Sequence, residues 1–273
     1  MENRKGAMSA GINVYGAAAI VLGLIGLVWG DFATNWQRVT PGVPHRLLLA
    51  YLGAVYEIVA GAAMLWRRTA RAGALALAAF YAIFVLSWLA KALAAPGVYD
   101  SWGNVFEELS LVIGGAVAWL ALAPGTSQAT SAETGQARAA LTPKGAALAA
   151  RLYGVCAVSF GVVHFVYFSG AASFVPKWIP PGGRFWAATT GVCFILAAVA
   201  ILSGVLSALA ARLLTLMILL FEALIWFPLL VRSPHEHFNW AGNGIGIAIG
   251  ASAWVVADVL SAAGRRRSTA IRV

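Results

Sequence analysis

The sequence predicts an all-α integral membrane protein with eight membrane-spanning helices, and three observations carry that prediction. Of its 273 residues, 61% are hydrophobic and only 11% charged, far more apolar than the core of a soluble domain requires. The apolar residues fall into eight runs, each near the roughly 20 residues that a helix needs to cross a bilayer. Those runs are continuous and lack the two-residue alternation of a membrane β-barrel.

In chain order, the predicted spans are 11–30, 46–66, 71–93, 105–123, 150–168, 185–204, 208–231 and 241–263. The first follows Arg4 and Lys5 and has the outline of a signal peptide, but an internal repeat, described below, makes it part of the fold. Short connections at 66–71 and 204–208 force antiparallel hairpins. The segment 169–186 is rich in Pro, Trp, Phe and Lys and reads as an irregular stretch at the membrane interface, anchored by Trp178 and Trp186. Gly26 with Gly30, and Gly242, Gly246 and Gly250, place small residues at helical spacing, where neighbouring backbones can approach closely.

Sliding the chain on itself by 138 residues aligns Tyr15-Gly16 with Tyr153-Gly154, Arg46 with Arg184, Trp88 with Trp226, Pro96 with Pro234 and Trp102 with Trp240. Trp and Pro are rare enough for these coincidences to count. The expected organisation is therefore a first four-helix unit (1–123), a cytoplasmic linker (124–149) and a second four-helix unit (150–273). An even number of spans per unit makes the two repeats parallel.

The net charge of +9 comes from basic residues scattered over short connections, not from a basic domain that would grip nucleic acid. With the N-terminus inside, 13 of the 19 basic residues face the cytoplasm, the bias of the positive-inside rule, and both termini are then cytoplasmic. Cys156 and Cys193 fall within spans and match no disulfide framework or redox motif; a bridge between them is possible and not favoured.

An ionisable group at the bilayer centre costs on the order of 3 kcal/mol and asks for a partner or a role. Glu57 and Glu222 lie deepest, and neither has a counterpart in the other unit. Each can be a proton-handling carboxylate or a neutral tie between helices. Glu107 and Glu108 open the fourth helix, where Lys91 is in reach of either. Asp258 and Arg212 lie at similar depth and suggest a packing salt bridge. All four histidines, His45, His164, His235 and His237, fall on the outer side. His164, Glu222, His235, Glu236, His237 and Asn239 are the candidate ligand-binding residues. The histidines can converge on a metal only if HEH is extended; alternatively VRSPHEHFNW (231–240) is a solvated turn with Asn239 capping the last helix.

The strings HFVYFSGAASFVPKWIPPGGRFWAATTG (164–191) and FPLLVRSPHEHFNW (227–240) resemble the DoxX-like family of small four-helix membrane proteins. The resemblance covers about 150–262, and reaches 11–122 only through the repeat. It implies a tandem pair of four-helix bundles and, since the family is named after a subunit of a thiosulfate–quinone oxidoreductase, a membrane redox role with a soluble redox partner. No catalytic residues carry over, and there is no dinucleotide fingerprint, P-loop or haem-attachment motif. The expected function is a cell-membrane redox component that binds quinone, with haem less favoured, near the outer face. A proton-coupled transporter using Glu57 and Glu222, or a scaffold for a soluble partner, are the alternatives.

Overall fold

A computed structural model gives the architecture and describes residues 9–40, 42–123 and 133–271, with side chains over 145–265 in the last stretch. The helices are α1 (Ala10–Trp29), α2 (Arg46–Leu65), α3 (Ala70–Ala94), α4 (Tyr99–Ala121), α5 (Glu133–Val166), α6 (Phe168–Phe174), α7 (Gly183–Ser203), α8 (Ser207–Phe221), α9 (Phe227–Arg232) and α10 (His237–Ile271). A π-helical turn, Glu222–Trp226, joins α8 to α9. No strand forms among the described residues.

Eight helical stretches are long and apolar enough to cross a membrane, and the chain is a polytopic membrane protein by that criterion. Its outer surface supports this. Val28, Ile83, Leu86, Leu196 and Val199 are all more than half exposed, which water would penalise and lipid tails do not. Helix ends follow local chemistry: Ser9 accepts a hydrogen bond from the Ile12 N–H at the start of α1, and Gly30 ends it in the left-handed region at φ 61°.

Within each half, α1 pairs with α2, α3 with α4, α5 with α7, and α8 with α10. The halves also pack on each other: α4 runs along α5, α1 along α10, and α4 meets α10, so that the spans share one core. Small residues permit this. A Cβ on Gly11 would sit 2.7 Å from the Val255 backbone nitrogen, and one on Gly114 2.7 Å from the Ser252 Cβ. Ser252 then donates across the seam to the Ser110 carbonyl.

Three expectations change. The segment expected as linker is helical from Glu133 onward and runs straight into the fifth span, while 124–132 lies outside the described residues. The fourth helix begins at Tyr99, so Glu107 and Glu108 sit two turns inside it and owe nothing to its N-terminal dipole. The seventh span is broken by the π turn, because Pro228 lacks the N–H that a continuous α-helix would need there. The connection 30–45 contributes buried residues of its own: Phe32, Ala33, Trp36 and Gln37.

Candidate functional site

A cavity of about 150 Å³, partly open to the surface, lies where the 30–45 connection and α4 meet the second half of the chain. Phe160, His164, Phe194, Phe221, Trp226 and Trp36 form its aromatic wall, and Glu107 and Glu222 add carboxyl groups. The histidine comes from α5, one carboxyl from α4, and the other from the π turn.

Each polar group is held in place. His164 Nδ1 donates to the Phe160 carbonyl at 2.6 Å, because a carbonyl can only accept, and Nε2 is left as the ring's remaining polar atom. The imidazole leans on Phe194 and Phe221, with centroids 5.2 and 6.1 Å away. Glu107 Oε2 accepts the Trp36 indole N–H at 2.7 Å. Asn243 Nδ2 donates to Glu222 Oε2 at 3.3 Å.

The π turn and the glycines of α10 work together. The wider turn pushes Glu222 and Trp226 toward α10, and α10 has no side chains in their way. A Cβ on Gly246 would land on the Glu222 carboxyl, and one on Gly242 on the Trp226 ring. The glycine spacing read as a helix-packing stripe therefore makes room for pocket side chains.

The inserted 30–45 connection supplies what sequence reasoning missed. Trp36 stacks on Phe238 at 5.5 Å and meets Trp226 edge-on at 5.8 Å, and its carbonyl accepts the Trp88 indole N–H. Arg38 and Ser87 exchange hydrogen bonds and pin the segment to α3. Gln37 reaches Glu57 at 2.9 Å. An aromatic pair, Phe32 and Trp36, in a short connection was the one available signal.

The expected cluster is only half assembled. His164 and Glu222 share the cavity, whereas His235 and Glu236 are exposed and do not line it. His237 stacks on Trp29 at 5.0 Å and is likewise outside. HEH straddles the start of α10 and is not extended, so its imidazoles do not converge. Among the described residues no three His, Cys, Asp or Glu side chains gather as a metal site would require. Asn239 does not line the cavity either: its amide donates to the Leu229 and Ser233 carbonyls and closes the end of α9.

Two structural pairs are also corrected. Arg212 donates to Ser261 Oγ at 3.2 and 3.3 Å, while Asp258 accepts the Gly11 N–H at 3.3 Å. Equal depth brought them to one level but not to one face. Lys91 lies over the Trp88 ring at 4.6 Å, since the residue one turn back on its own helix is nearer than Glu107. His45 is exposed at the start of α2, Cys156 is buried, and Cys193 is exposed on the lipid side; both thiols are free.

Fold and site together define a polytopic helical membrane protein with a small aromatic cavity carrying one imidazole and two carboxyl groups. No family model, no curated protein and no solved structure matches the chain.

Proposed function

We propose that this is a cell-membrane protein of DoxX-like build that binds a quinone, or a similar ring with polar substituents, near its outer face. The observation that carries the reading is the cavity itself. Its volume of about 150 Å³ matches an apolar cavity that takes up benzene, so it suits one substituted ring and not a haem macrocycle. Its open side leaves room for an apolar tail to extend from the ring. Quinone carbonyls accept hydrogen bonds and quinol hydroxyls donate them; His164, Glu107 and Glu222 can serve both forms as their protons move. These residues carry protons and not electrons, so a redox role requires a soluble redox partner to exchange the electrons.

The same proposal includes two repeated units, 1–123 and 150–273, with both termini cytoplasmic. Matched hydrogen bonds support the repeat. Tyr15 donates to the Leu111 carbonyl and Tyr153 to the Ile249 carbonyl, at 2.7 and 3.0 Å. Trp102 donates to the Pro96 carbonyl and Trp240 to the Pro234 carbonyl, at 3.1 and 2.8 Å. Every member of the second pair lies 138 residues beyond its partner in the first. The basic-residue bias supports the orientation.

Calorimetric titration of the nanodisc-embedded protein with a water-soluble short-chain quinone tests the ligand. Saturable binding, lost in His164→Ala and Glu222→Ala, is expected. Heat that follows lipid partition alone, and is the same in wild type and both variants, refutes it. The broken seventh span favours a second reading, a proton-coupled transporter, because discontinuous helices line transport sites; solute-driven proton uptake lost in Glu222→Gln is its signature.

A further inference from the structure

Away from the cavity, the first half of the chain buries a second polar centre to which each of its four spans contributes one group. Glu57 comes from α2, Glu108 from α4, Tyr81 from α3 and Tyr15 from α1. Glu57 is 2% exposed, Glu108 1%, and the two tyrosines 0%. The four lie within electrostatic reach of one another, and Glu107 and Tyr153 border them.

Their hydrogen bonds do not satisfy them. Glu57 takes one from Gln37, whose own Oε1 is occupied by the Ala33 N–H. Tyr15 gives its proton to the Leu111 carbonyl. Tyr81 lies beside Glu57 without a hydrogen bond of good geometry, and both carboxyl oxygens of Glu108 are buried with no partner. Native proteins rarely leave such groups orphaned, least of all a carboxyl, whose charge is costly to bury alone.

No Lys, Arg or His side chain among the described residues pairs with Glu57 or Glu108. Two carboxylates in the membrane interior without a counter-charge would stand against several kcal/mol of desolvation each. Positive charge from outside the chain must therefore balance both of them. Among the described residues no three His, Cys, Asp or Glu ligands converge here, and two carboxyl groups with tyrosine and amide oxygens suit a proton on each carboxyl, or one sodium ion shared between them with one carboxyl protonated.

We infer that Glu57, Glu108 and Tyr81 form a buried site for monovalent cations, either a proton on each carboxyl or a sodium ion together with one proton. Its three groups do not line the aromatic cavity, although Glu107 borders both, and it holds whether or not that cavity takes a quinone. The site belongs to the first half alone, because the residues 138 positions beyond Glu57 and Glu108 are Ile195 and Gly246.

Two measurements on the full chain in nanodiscs distinguish the occupants. Infrared spectra at neutral pH report protonated carboxyl C=O groups, and thermal unfolding in sodium against choline chloride at equal ionic strength reports sodium binding. A C=O band reduced in Glu108→Gln and again in Glu57→Gln, with no sodium effect, identifies the proton. A sodium-dependent rise in the unfolding midpoint that both variants lose identifies the ion. If wild type shows no sodium effect and its C=O region coincides with that of both variants, the inference fails. Each variant is read only where it elutes as folded protein, and either one alone suffices.

Discussion

Gly246→Ala perturbs the aromatic cavity without replacing any of its wall side chains. The added methyl lands on the Glu222 carboxyl, which must swing away until van der Waals contact is restored. That movement removes the Asn243 hydrogen bond to Oε2, already long at 3.3 Å and worth about 1 kcal/mol. Overpacking adds about 1–3 kcal/mol, at the low end because the opposing atom ends a flexible side chain. Alanine returns up to about 1 kcal/mol of helix propensity, which leaves a net destabilisation of about 1–2 kcal/mol. Quinone binding should suffer more than stability does, by at least about tenfold, or 1.4 kcal/mol, because the displaced carboxyl is pushed out of its place in the wall. Denaturant unfolding and calorimetry on the same preparation supply both numbers. Unchanged affinity with stability equal to or above wild type would refute the account of Gly246 as the space that seats Glu222.

Asp258→Ala should cost about 1 kcal/mol by removing the acceptor at the start of α1, whereas Arg212→Gln, at an exposed position, should stay within about 0.5 kcal/mol; equal losses in denaturant unfolding would restore the salt bridge. Asn239→Ala should lower stability by about 1–2 kcal/mol through the unpaired carbonyls of α9, with no direct effect on the cavity, and a binding defect without a stability defect would contradict that. His235→Ala and Glu236→Ala, both exposed, should leave quinone titrations unchanged. Membrane-permeant maleimide should label Cys193 far faster than Cys156, as mass spectrometry would show; equal labelling would mean that the α5 packing is wrong.

Hydropathy carried the eight spans because bilayer thickness imposes a length that every span must meet. Depth along a helix was legible in the same way, and it put Arg212 and Asp258 at one level. Rotation about the helix axis was not, since a helix apolar all round shows no preferred face. Arg212 and Asp258, at equal depth, consequently point to different partners. The inserted connection was lost for another reason. Its buried groups, Trp36 and Gln37, find their acceptors on α4 and α2, 71 and 20 residues away, and no local pattern encodes so distant a contact. Pro228 was the readable mark of the π turn, and its value lay in which side chain the break would re-aim.

The seam between α1 and α10 sets an order on assembly. Domains ordinarily fold as they emerge, N-terminal part first. Here α1 is made well before α10, so it meets this neighbour only once α10 has been synthesised. Loss of α10 should thus unsettle α1 as much as α8.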